Sequence, residues 1–196
     1  RILSELRKYK NVTMRSRMMG AGVYDHGYLL GYERLNDHLS TNEGPRHRLW
    51  RIRAKQIITA TGAIERPLSF PGNDIPGIML ASAVRDYATN FGVAVGDKVA
   101  IFTNNDDAYR TAITLHELGI TVPVIIDARS GGGGELAHHA KELGIRVENG
   151  KAILKVFGRK RVKAVTICDY EKSGANKEKI ECDSIAMSGG WSPVVH

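Results

Sequence analysis

Two stretches of this chain carry side chains whose types and spacing could do chemistry on a nucleotide. The first is Thr103-Asn104-Asn105-Asp106-Asp107-Ala108, which follows an apolar run (residues 98–102) and opens an amphipathic one (107–118). A G-x-G-x-x-G/A turn at such a place lets the backbone approach a pyrophosphate and aims helix N–H groups at the anion. Here Thr103 and Asn105 stand where the first two glycines belong, and only Ala108 fits, in the third place. A side chain at 105 occupies pyrophosphate space. Asp106 and Asp107 suit a helix start but repel phosphate. The second stretch is Asp127, 24 residues after Thr103, near the place of an acid that reads a ribose 2′-hydroxyl, with Arg129 placed to meet a 2′-phosphate. Two readings stay open: a nicotinamide-nucleotide site that uses Asp127, and a dinucleotide-type scaffold that has lost its ligand.

Other chemistry has little support. No spacing proposes a Ser-His-Asp or Cys-His arrangement, so no catalytic residue is assigned. Cys168 and Cys182 sit in apolar, strand-like runs and read as reduced core thiols of a cytoplasmic protein. His138 and His139 are neighbours that face different ways on a helix, whereas zinc needs three or four convergent ligands, so no metal is expected. The 196 residues are 42% hydrophobic and 25% charged, as in an ordinary soluble protein. No apolar run reaches membrane-spanning length, and the charged start RILSELRKYK does not read as a secretory signal. The net charge of +7 clumps at residues 46–55 and 155–163. With no aromatic platform evident beside it, this charge reads as solvated strand edges or a face for an acidic partner, not for nucleic acid.

The elements that would position these residues follow from periodicity. Residues 1–9 read as the end of an amphipathic helix and 11–17 as a strand. Residues 23–35 hold two β-rich runs around a turn at Asp25-His26-Gly27, and 48–53 alternate as a half-buried strand. Residues 11–55 thus form a small antiparallel meander, with a polar loop at 36–45. Residues 56–60 are a short strand buried on both faces, ended by Thr61-Gly62-Ala63 and a proline-punctuated connector. Helix 82–91, strand 98–102, helix 107–118, strand 123–126 and helix 135–143 follow, then strands 146–149, 152–157, 162–169, 179–183 and 185–187. A charged loop tip spans 171–178. The order β-α-β-α-β and then a meander is half of a dinucleotide-binding fold.

Ile57-Ile58-Thr59-Ala60-Thr61-Gly62-Ala63-Ile64-Glu65-Arg66-Pro67 resembles the segment that closes the first dinucleotide domain in glutathione-reductase-type flavoproteins. Residues 183–193 resemble the segment that re-enters that domain. The fold class implied is α/β: a Rossmann-like FAD/NAD(P)-binding domain, parallel sheet plus β-meander, with part of a second, interrupted dinucleotide-binding domain. The implied division is 1–66 in the first domain with its meander, 67–183 as an inserted second domain, and 184–196 as the return segment. Gly22-Val23-Tyr24-Asp25-His26, Arg48-Leu49-Trp50-Arg51-Ile52-Arg53-Ala54, residues 73–81, Phe102-Thr103-Asn104-Asn105-Asp106 and Gly189-Gly190-Trp191-Ser192-Pro193 are similar to alpha subunits of heterotetrameric sarcosine oxidases.

That resemblance implies a piece of a larger oxidoreductase that converts sarcosine to glycine with oxygen and tetrahydrofolate. Related subunits occur in opine oxidases, dye-linked proline dehydrogenases and hydrogen cyanide synthases. NAD, not turned over, would sit in the first dinucleotide domain of the parent subunit, with FMN and FAD elsewhere in the complex. The piece itself would be empty and inactive. Partners would be the other subunits, with folate handled outside this chain. The NAD-site edge would comprise Thr61 and Gly62 at a strand's carboxyl end, the close-approach turn of Gly189, Gly190 and Ser192, and Arg17-Met18 beside the adenine. An independent NAD(P)-binding module using Asp127 is the alternative.

Overall fold

A strand with five consecutive buried residues is covered on both faces, and β6 (Val99–Thr103) is such a strand. In the computed structural model, which describes residues 2–40, 44–172 and 174–194, it lies at the centre of a five-stranded parallel sheet. The neighbours are β5 (Ile78–Leu80), β12 (Ser184–Ser188), β7 (Ile125–Asp127) and β8 (Val147–Asn149), in the order β5-β12-β6-β7-β8. Alternation sends side chains to two separate cores. Val99, Ile101, Ile125 and Ala186 pack under α2 (Ala81–Phe91), α3 (Asp107–Glu117) and α4 (Gly134–Glu142). Ala100, Phe102, Ile126, Ile185 and Met187 pack under an antiparallel meander of β9 (Lys151–Gly158), β10 (Val162–Asp169) and β11 (Glu178–Glu181). The result is a Rossmann-like α/β fold with helices on one face and a meander on the other.

The chain divides into two compact units, Arg1–Ala60 and Thr61–His196. The second contains the layers just described. The first holds a short helix, α1 (Ile2–Leu6), and a three-stranded antiparallel sheet of β1 (Met18–Tyr24), β2 (Tyr28–Arg34) and β3 (His47–Arg53). The turn Asp25-His26-Gly27 joins β1 to β2.

Three expectations are corrected. Residues 11–17 form no strand; β1 begins at Met18. Val12 and Thr13 suit a strand, but register counted back from the hairpin ends the ladder where Met18 pairs with Glu33, and only the Arg17 carbonyl still accepts a backbone bond, from Arg34. Residues 56–60 form no strand and pair with no described strand, and Ile58 is 90% exposed. Residues 184–188, read as the start of a return segment, form the second strand of the five-stranded sheet. The short strands β4 (Ala63–Glu65), β5 and β13 (Trp191–Pro193) were not legible. Arg1, residues 41–43 of the expected polar loop, Ser173 of the loop tip and residues 195–196 lie outside the described residues.

Ion pairs fasten the meander's edge. Arg146 reaches Glu148 at 2.7 Å and Glu178 at 2.6 Å, and Lys151 reaches Asp169 at 2.6 Å. Hydrogen bonding from Arg146 holds the Glu178 carboxyl below its ordinary range, and Lys151 does the same for Asp169. A depressed folded pKa gives stability that is present above the unfolded value and lost as pH falls through the folded one. Between neutral pH and about pH 3, the thermal midpoint of Glu178→Gln should therefore fall less than that of the wild type. Ile101, fully buried, should behave differently: Ile101→Ala should cost about 3 kcal/mol in urea unfolding with an unchanged slope.

Candidate functional site

Ligands of open α/β sheets bind outside the carboxyl ends of the strands, and three features meet that edge of the second unit. The first is the turn after β6. Asn105 Nδ2 donates to Ser188 Oγ at 2.9 Å and to the Ser188 carbonyl at 3.1 Å, while its Oδ1 accepts the Asp107 N–H at 3.1 Å. Thr103 Oγ1 accepts the Asn105 N–H and donates to the Asn105 carbonyl, both at 3.0 Å. A phosphate at the start of α3 would have to accept the N–H that Asn105 already takes. The turn is satisfied by its own side chains and does not fit a dinucleotide pyrophosphate.

The second feature is Asp127, at the end of β7. Its carboxylate is fully buried and accepts from the Tyr109 hydroxyl at 2.8 Å, the Arg129 N–H at 2.9 Å, Arg129 Nε at 3.0 Å and Arg129 Nη2 at 2.8 Å. Arg129 Nη2 also reaches Asp106 Oδ1 at 2.7 Å, and that oxygen takes the Gly133 N–H at 3.1 Å. A side chain at Gly132 would collide with both Asp127 and Arg129, so the loop lies directly on the carboxylate. Burial first, and then the bond to Asp127, push the Tyr109 phenol well above its ordinary value; the bond to Asp127 raises Arg129 likewise. The acid a ribose would need is thus spent on an internal tyrosine and arginine.

Beside it, an open cleft of about 380 Å³ is lined by Leu68, Phe70, Phe102, Asn104, Arg129 and Tyr170, among others. Its guanidinium has Nε and Nη2 committed to carboxylates.

The third feature joins residues far apart in sequence. β13 pairs antiparallel with β4, Ser192 opposite Ile64. Thr61 Oγ1 donates to the Val194 carbonyl, 133 residues away. Backbone bonds run from Val194 N–H to Gly62 O at 3.0 Å, from Arg66 N–H to Gly190 O at 2.8 Å and from Gly189 N–H to Arg66 O at 2.6 Å. A Cβ at Gly189 would stand 2.9 Å from the Arg66 and Pro67 carbonyls, which bars any other residue there. Gly62 and Gly190 have φ of 79° and 90°, and open space lies where a Cβ would stand. Thr61, Gly62, Gly189, Gly190 and Ser192 therefore lie along one two-stranded ladder, with Thr61 and Gly62 beside Val194 at one end and Gly189 and Gly190 beside Arg66 at the other.

Arg17 and Met18 belong to the first unit. Arg17, at φ 58°, binds Asp37 and, through Nε, the Arg34 carbonyl at 3.2 Å. Met18 begins β1 and lies against the bare backbone of Gly31.

Sequence reasoning missed Glu65. It is only 4% exposed, and its Oε2 accepts the Ser82 N–H at 2.9 Å and the Ser82 hydroxyl at 2.6 Å, capping α2 from a separate strand; Oε1 has no partner among the described residues. Leu80, at the N-cap, offers no side-chain oxygen, and that lack was the available signal. Burial and then Asp183 push the Cys182 thiol up to about 12. Among the described residues no group of three metal-ligating side chains converges, and no helix is long and apolar enough to cross a membrane.

Comparison with known proteins gives a consistent picture. No family model matches. The sarcosine oxidase subunit alpha of Rhizobium meliloti (strain 1021) is 38% identical over 194 residues, covering 98% of this chain and 19% of that protein. Its counterpart in Corynebacterium sp. (strain U-96) is 37% identical over 202 residues, covering 100% of this chain and 21% of that protein. The chain matches one segment of sarcosine oxidase alpha subunits. It spans about a fifth of the length of the curated relatives it matches. Solved structures share the fold. Thioredoxin reductase of T. acidophilum superposes with a TM-score of 0.60 at 16% identity, over 90% of this chain and 53% of that one. L-proline dehydrogenase of P. horikoshii gives 0.57 at 20%, over 98% and 31%.

With its turn and acid already satisfied, the second unit should show no heat of NAD(H) binding at millimolar ligand. Asp127→Ala should cost about 3 kcal/mol by stranding a buried hydroxyl and unpairing Arg129, whereas Tyr109→Phe should cost about 1 kcal/mol.

Proposed function

We propose that this chain is the scaffold and cofactor-site edge of an oxidoreductase subunit that takes part in the oxidative demethylation of sarcosine to glycine. The observation that carries this reading is 36–38% identity to sarcosine oxidase alpha subunits along nearly the whole chain. The parent would use oxygen and tetrahydrofolate, with folate handled outside these residues. NAD that is not turned over would lie in a first dinucleotide domain, with FMN and FAD elsewhere in a cytoplasmic heterotetrameric complex. Thr61, Gly62, Gly189, Gly190 and Ser192 would border the NAD, the open positions at Gly62 and Gly190 allowing close approach. Arg17 and Met18 would lie near its adenine side. No residue here is assigned bond chemistry.

The domain reading is that residues 1–66 belong to the first domain, that the inserted second domain runs from 67 through β12, and that the chain returns to the first domain after it. An internal repeat supports part of it. Ile52, Ile57 and Gly62 recur with the same spacing as Ile180, Ile185 and Gly190. Ile52 faces Leu29 across β3 and β2 as Ile180 faces Val165 across β11 and β10. Residues 56–60 then correspond to β12, a fully buried strand of a parallel sheet. The exposed Ile58 would be the core residue of a second such sheet.

Two measurements test the proposal. The full-length subunit with its co-assembling subunits should make peroxide from sarcosine, and these 196 residues alone should not. Ile58→Ala should cost about 3 kcal/mol in the full-length subunit if a sheet closes over it. A cost within about 0.5 kcal/mol would mark Ile58 as a surface residue and remove the interrupted-domain reading.

A further inference from the structure

All of the chain's net charge of +7 falls in its first 60 residues, which carry twelve basic and five acidic side chains; the remaining residues carry sixteen of each. Within the first unit the three-stranded sheet has two unlike faces. On one, Val23, Leu29 and Ile52 lie in a row. Their counterparts in the repeat, Val156, Val165 and Ile180, are the residues that bury the second meander on its parallel sheet. That face is therefore committed to its own domain.

The other face is left. Tyr24, Tyr28 and Arg53 form one row and Met19, Tyr32 and Leu49 another, with Arg51 between them. Met19, Tyr24 and Leu49 are 62%, 53% and 57% exposed. Arg53 lies over the Tyr28 ring at 5.7 Å, and Tyr32 stacks on His47 at 5.1 Å. An aromatic platform that the linear sequence did not reveal is thus assembled by cross-strand pairing.

We infer that this face docks an acidic surface of a different subunit. The inference rests on the reading that the parent is a multi-subunit oxidase. Exposed arginine, tyrosine and methionine with no lysine is the composition of a protein–protein contact. The positive charge selects an acidic partner and steers it to this face. Nucleic acid fits less well: Arg53 and His47 already lie against the Tyr28 and Tyr32 rings, and exposed Met19 and Leu49 have no use against phosphate.

The test uses the full-length subunit assembled with its partners, with a photoreactive benzoylphenylalanine in place of Leu49. Native mass first establishes that the complex is present. Irradiation should then link position 49 to an acidic segment of another subunit. Adding Arg51→Glu with Arg53→Glu should cut the yield about tenfold without shifting the thermal midpoint. With the complex assembled, a link within the same chain, a link to nucleic acid, no link, or a yield indifferent to charge reversal would each overturn the docking surface alone. A subunit that shows no partner by native mass would overturn the multi-subunit reading along with it.

Discussion

The pairing of β4 with β13 is the constraint on which the second unit depends. Backbone bonds between residues 62–66 and 189–194 bring its entry and exit strands side by side. Everything between them, a five-stranded sheet with helices on one face and a meander on the other, leaves and returns at one place. The glycines at that place are used for distinct reasons. Gly189 is held there by two carbonyl oxygens, while Gly62 and Gly190 leave open space beside a backbone that turns through positive φ. Glu65 extends the fastening from the same strand to the start of α2.

The fold inside this closure is Rossmann-like, and the positions where such a fold could take a nucleotide are filled by its own side chains. Asn105 caps α3 and ties it to β12, and Asp127 is held by Tyr109 and Arg129. These bonds join β6, α3, β7 and β12 at the sheet's carboxyl edge. Residues that would bind phosphate and ribose in a working site here hold strands and a helix to one another.

The sequence revealed much of this, and the failures have physical causes. Helix α3 was legible from its regular apolar period, and strand β6 from an unbroken apolar run just before a helix start. The filling of the phosphate turn was legible at Asn105, since any side chain there takes pyrophosphate space. Residues 11–17 and 18–24 were misjudged because hairpin register, not local propensity, decides which residues pair. Residues 56–60 have the composition of a buried strand but pair with no described strand, and Ile58 is exposed. β4 and β13, three residues each, carry too little pattern to stand out, and Glu65 was hidden because it caps a helix from another strand. The basic aromatic face was missed because Tyr24, Tyr28, Tyr32, Arg51 and Arg53 converge only across three strands.

The central claim is that these residues include one self-contained dinucleotide-type unit and the exposed remnant of another, with residues 56–60 as a strand awaiting its sheet. Amide hydrogen exchange at Ile57, Ile58 and Thr59 tests it most directly, compared between this chain and the full-length subunit. The account predicts free exchange at these amides in the 196-residue chain and protection close to that of β12 in the full-length subunit. Equal, rapid exchange in both would contradict it.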